Sequence, residues 1–217
     1  MSTTRQPERR FPLSRSVYLR LRNGPKDTAA WTQPARVGVR AAESLESGTI
    51  TVESAVDRLR TAGLPVGQAD TPSLDQITAA RLVLEPAVTV RACAAATPDD
   101  RELLRRRAGF LGSAAGLEST PRRLFRHDCD AHGLLYRLAA GGVAQPDPAG
   151  LCTLAHQGWA GRDPDAVVPL VRGHLAELGD VLRAVAAGAA GRARELATAH
   201  VWGTHLMLLQ AGADRDG

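Results

Sequence analysis

Apolar positions recur at helical spacing along most of this chain, and nowhere do they alternate long enough to predict a strand. Leu45, Val52, Val56 and Leu59 fall at intervals of seven, four and three and form one stripe, with small Ala42 where two helices must pass closely. Glu46-Ser47-Gly48-Thr49 interrupts the stripe, so Ala41 to Leu64 is expected to form two short helices across a tight turn. Ser47 and Thr49 can each cap the second helix, Gly48 supplies a flexible turn residue, and Gly63 can end the helix as a C-cap. Such a pattern fits a DNA-reading helix-turn-helix or an ordinary helical hairpin. Glu46 stands where such turns often place glycine, at a cost of about 1 kcal/mol if that position must be left-handed.

The rest of the chain also reads as helix. Leu13 to Leu21 is a short amphipathic segment stopped by Asn23-Gly24-Pro25, and Asp27 to Pro34 reads as a loop. Pro65 to Pro72 is rich in Pro and Gly and suits a linker. Ser73 with Gln76 makes a capping box, opening a helix whose apolar face is Leu74, Ile77, Leu84 and Val88. Further helices are expected to start at Pro98 after Thr97, to run from about Pro121 to Leu138 before Gly141-Gly142, and to cover Ala149 to Trp159 and Asp165 to Val185. A last helix follows the small-residue break at 186–191 and continues to about Gln210. The expected fold is mainly all-α. Residues 1–12 form a disordered basic tail, 13–70 a helix-turn-helix domain, and 71–217 an antiparallel helical bundle.

A chain of 217 residues, 44% apolar, can bury a sizeable core and suits two domains. Cys93, Cys129 and Cys152 are odd in number and lack any C-x-x-C spacing, which argues against a disulfide framework and for a cytoplasmic protein. The N-terminus has no apolar stretch of signal-peptide type, and no run reaches the roughly 18 apolar residues of a membrane helix. A net charge of +4 permits nucleic-acid contact without demanding it. Position says more than the total: nine basic residues from Arg5 to Arg40, including Arg36 and Arg40, face only Glu8 and Asp27 before the two-helix motif. Such an arm can track a phosphate backbone or remain a solvated tail.

Thr51 to Leu64, TVESAVDRLRTAGL, resembles the recognition helix of GntR-type regulators, whose usual form is T-V-R-E-A-L-x-x-L-x-x-x-G-L. Ala41-Ala42-Glu43-Ser44-Leu45 aligns with the family's L-A-x-x-L. The family usually carries arginine at the positions of Thr49 and Glu53. It also continues into a two-stranded wing, for which Pro65 to Pro72 leaves little room. The resemblance implies a winged-helix-like domain in which Arg36, Arg40, Thr49, Thr51, Glu53 and Arg58 face DNA. Downstream, Ala80 to Pro86 is similar to the R-x-x-L-E-P opening of the FCD domain, the ligand-sensing half of the FadR branch. Cys93 to Pro98 is similar to its A-A-x-x-A-T sequel, and Asp128 with His132 to its D-x-x-x-H.

Asp128 and His132 are i and i+4, so carboxylate and imidazole project from one helix face, suited to a shared divalent cation or to a plain ion pair. The resemblance implies His200 as a third ligand, and zinc or nickel as the ion. It places Leu178 at the fourth ligand's usual position, with His174 one turn earlier on the same face, about 5.4 Å away along the axis. Three outcomes stay open: His174 is recruited by a local shift, the ion is held by three protein ligands, or the ion is lost. His127, His156 and His205 are further candidates, and Trp159 and Trp202 can wall a pocket or pack a core. Arg81 is expected either to grip an effector carboxylate, as the resemblance implies, or to pair with Glu85. Together these features point to a homodimeric, ligand-responsive transcriptional regulator that binds a palindromic operator and senses a small carboxylate. A metal-dependent enzyme or small-molecule-binding protein with a vestigial DNA-binding domain is the alternative.

Overall fold

The computed structural model describes residues 33–62, 74–117, 120–141 and 164–213. Among them are seven helices and no strand: α1 (Gln33–Glu46), α2 (Val52–Thr61), α3 (Leu74–Ala95), α4 (Pro98–Leu117), α5 (Pro121–Ala139), α6 (Pro164–Ala186) and α7 (Ala190–Ala213). The all-α expectation holds. The expected winged-helix domain is not seen among the described residues. Leu13 to Leu21, Pro65 to Pro72, Ser73 and Ala149 to Trp159 lie outside them.

The two-helix motif starts earlier than its apolar stripe. α1 begins at Gln33 rather than after Pro34, because a proline is tolerated in a first turn, where its missing N–H would have no helical partner. Its end is set by Gly48, the left-handed residue of the turn at φ +74°. The expected cost at Glu46 therefore does not arise, since Glu46 is the last helical residue and has no positive φ. Thr51, rather than Ser47 or Thr49, caps α2, its hydroxyl accepting from the Ser54 N–H at 3.2 Å. The Ser47 and Thr49 hydroxyls bond each other at 2.8 Å within the turn.

Ala41, Leu45, Val52, Ala55, Val56 and Leu59 are buried and belong to the same apolar cluster as the bundle. α1 lies against α3, with Gly38 facing Val83 and Leu59. Opposite charges tie the same helix to α7 through an ion pair between Glu46 and Arg194.

α3 is the central helix. From Ile77 to Thr89 every residue is buried, so Ile77, Leu84 and Val88, expected on one apolar face, are part of a stretch covered all round. α5 and α7 pack on it, α6 packs on α5 and α7, and α4 lies mainly on α6. α4 is opened by a reciprocal cap, in which Asp100 N–H donates to Thr97 Oγ1 at 3.2 Å and Asp100 Oδ2 accepts from Thr97 N–H at 3.0 Å. Arg101 then donates to the main-chain carbonyls of Cys93 and Ala186, both at 3.1 Å, satisfying oxygens near the C-terminal ends of α3 and α6. No helix among the described residues is long and apolar enough to cross a membrane.

Candidate metal centre

Four helices deliver ionisable side chains to one buried place. α3 brings Arg81 and Glu85, α5 brings Asp128 and His132, α6 brings His174, and α7 brings His200. All six are 6% exposed or less. Burial on that scale is tolerated where charges are paired, a cation is held, or the group is neutral.

Two pairings are explicit. Arg81 Nε donates to Glu85 Oε1 at 2.5 Å and its Nη2 to Oε2 at 3.3 Å, a forked contact within one turn of α3. Glu85 Oε2 then lies 3.4 Å from His132 Nε2, close enough for charge but too poorly aligned for a hydrogen bond. Burial alone would push the Glu85 carboxyl up, yet Arg81 and His132 outweigh it and hold it at about 2. Burial likewise opposes a charged His132, and the Asp128 and Glu85 carboxylates overcome that, raising it to about 9.

The hydrogen bonds fix which histidine nitrogen is available. His132 Nδ1 is 3.0 Å from the Asp128 main-chain oxygen, which can only accept, so Nδ1 carries a proton. Thr204 Oγ1 donates its one hydrogen to the His200 carbonyl at 2.9 Å, so it accepts from His174 Nδ1 at 3.1 Å. His174 therefore turns Nε2 toward Asp128 Oδ1, 3.3 Å away. Burial lowers the His174 pKa, with Asp128 opposing, so the ring is neutral and a nitrogen lone pair faces a carboxylate oxygen. Two lone pairs at that distance repel unless a cation or a proton lies between them.

His200 completes the arrangement. Its ring stacks on His174 with centroids 3.8 Å apart and planes at 17°, and neither of its nitrogens makes a hydrogen bond. Burial, with the nearby His174 and His132, drives its pKa well below the ordinary histidine value. A neutral imidazole without hydrogen bonds in a buried polar cluster is suited to ligate a cation. Asp128, His132 and His200 offer ligand atoms within 4.8 Å of one another, and so do His174, Glu177 and His200. A tetrahedral ion at about 2.1 Å from its ligands would separate them by about 3.4 Å, so modest closure completes either set. These His, Asp and Glu groups, all buried except Glu177, could hold a metal ion.

The four metal candidates from the sequence thus converge, His174 included, and Leu178 instead lines a small cavity with His132, His200 and Tyr136. That cavity has room for about one water molecule. Arg81 is buried and paired with Glu85. His127 lies elsewhere, edge-on to Phe110, and His205 bonds Thr78 Oγ1 at 3.1 Å with Trp202 edge-on to it. His156 and Trp159 lie outside the described residues. Arg36 and Arg40 are exposed on α1, Thr49 in the turn, and Glu53 and Arg58 on α2, while the Thr51 hydroxyl is engaged in its cap. Glu85, Glu177 and Thr204 were missed as parts of the site. Only the Arg81/Glu85 spacing hinted at any of them.

Comparison with protein-family models, with curated proteins and with solved structures finds no match for this chain.

Proposed function

We propose that the chain is a ligand-responsive DNA-binding transcriptional regulator of the GntR type, FadR branch. It acts as a homodimer whose bundle senses a small organic acid together with a bound divalent cation. One observation carries this reading. The α1–α2 pair docks its apolar stripe toward α3, the helix that also brings Arg81 and Glu85 to the buried cluster, while Glu53, Ser54, Asp57, Arg58 and Arg60 of α2 face solvent. A change in the cluster that moves α3 would therefore be felt by the helix pair, and any effector preferring one arrangement shifts DNA affinity by that preference.

The donor set supports zinc or nickel. Imidazole nitrogens with one carboxylate suit borderline cations better than magnesium or calcium, which favour oxygen. Two chains related by a two-fold axis would present two α2 helices to a palindromic operator.

Selection of genomic fragments by the purified full chain tests the reading, followed by mobility shifts across a salt series with and without zinc. A palindrome should be enriched, and its affinity should change when the cation is removed. Enrichment of no sequence, with purely salt-sensitive binding, overturns the regulator.

A specific observation favours the alternative, a metal-dependent enzyme or binding protein with a vestigial DNA element. The exposed face of α2 carries Glu53 and Asp57 against Arg58 and Arg60, and Asp57 already pairs with Arg60 at 2.6 Å. That face is electrically balanced, a poor grip on phosphate.

A further inference from the structure

The inner cluster raises a question of access. Asp128, His132, His174 and His200 are all 6% exposed or less, so an ion bound among them has no open side. Glu177 differs. It lies one turn after His174 on α6, its side chain is 54% exposed, and its Oε2 is 3.6 Å from His200 Nδ1. With His174 and His200 it forms the second set of donors within 4.8 Å, and it is the one exposed member of either set.

We propose that His174, Glu177 and His200 form an outer position for a divalent cation, through which the ion enters and leaves the inner Asp128–His132–His200 centre. The proposal rests on the cation reading above and adds to it a route and a residue. Three features support it. His200 belongs to both sets, so the two positions share one ring. No hydrogen bond holds either His200 nitrogen, so the ring can serve either position without breaking one. Gly203 leaves space for the carboxylate beside α7, since a Cβ there would lie 3.3 Å from Glu177 Oε2. A carboxylate at the mouth also draws cations from solvent and replaces part of their hydration shell before the nitrogen ligands close.

The nearest competing role for Glu177 is to orient His200 by accepting its Nδ1–H, as carboxylates often do behind metal-bound histidines. Kinetics separates the two. An entry ligand speeds passage in both directions and leaves the end state alone, whereas an orienting carboxylate strengthens the bound state and slows escape.

Stopped-flow loading of the metal-free full chain with Co²⁺, followed by release to excess EDTA, reads both rates through the visible absorption of the ion. Glu177→Gln should slow loading and release alike, each about tenfold, with the dissociation constant changed little. Unchanged loading with faster release assigns Glu177 to orientation and overturns the proposal, as does no change in either rate. Asp128→Ala should lose the tight ion yet keep weak Co²⁺ binding that Glu177→Gln then removes. Weak binding indifferent to Glu177, or none, overturns the outer position. If the unmodified chain takes up no Co²⁺, the cation reading itself fails. If it binds tightly while Glu177→Gln loads at the original rate, only the route fails.

Discussion

Arg81 and Glu85 sit one turn apart on α3, a spacing worth about 0.3 to 0.5 kcal/mol on an exposed helix surface. Here the side chains are 3% and 6% exposed, and the arithmetic changes. Removing one member strands a buried charge, so Glu85→Gln should lower the unfolding free energy of the metal-free protein by about 3 to 5 kcal/mol. Urea denaturation checks this, with the Arg81→Met, Glu85→Leu pair expected to lose less than the single change. A loss under about 1 kcal/mol in Glu85→Gln would mean that Arg81 reaches solvent. At this scale the sequence revealed only part of the site. Asp128 and His132 were legible because one helix turn sets their relation. His200 was named through a family pattern, and His174 because it shares a helix face with Leu178, where that pattern places a ligand. Glu85 was marked only as a partner for Arg81 and Glu177 not at all, since carboxylates are common and what matters is which helix comes to lie beside them. Glu85 meets a histidine 47 positions further on, a relation created by packing alone.

At the level of elements, most of the helices could be read from spacing and punctuation: Thr97 before Pro98, Gly141 after α5, and the small residues between α6 and α7. Their ends were harder, because several hydroxyls compete for one role. Ser47 and Thr49 looked like caps, but the turn places their hydroxyls on each other and leaves the cap to Thr51. The start and one apolar face of α3 were legible, but not that it is buried on all sides from Ile77 to Thr89, since a central helix shows no polar face to contrast with its apolar one. Gly48 is the residue on which the α1–α2 turn depends. It has φ +74°, and a Cβ there would lie 3.0 Å from the Arg91 guanidinium. Gly48→Ala should therefore cost about 1 kcal/mol from backbone strain alone, read as a lower midpoint in thermal or chemical unfolding. An unchanged midpoint would mean that the turn relaxes without that left-handed residue, and that the angle between α1 and α2 is not set there.

Across the whole molecule, four buried histidines fall into two classes with opposite responses to pH: burial lowers His174, His200 and His205, while the Asp128 and Glu85 carboxylates overcome the same effect at His132. His205, bonded to Thr78 and pressed against Trp202, is held at about 4 by burial. An unfolded chain would protonate it near 6.5. Its contribution to stability is present above that value and is lost as pH falls to about 4, because acid favours the state that binds the proton. His174 and His200, also lowered, act in the same direction. His132 is raised to about 9, so its contribution is complete below 6.5 and is lost as pH climbs through 9. The metal-free protein should therefore be most stable near pH 6.5, weakening on both sides for different reasons. His205→Gln separates the arms, since an amide can keep a hydrogen bond to Thr78 without titrating. Chemical denaturation from pH 4 to 9 should show a shallower acid arm in this variant and an unchanged alkaline arm. An acid arm as steep as the original would move the whole acid response to the inner cluster, where His174 and His200 remain.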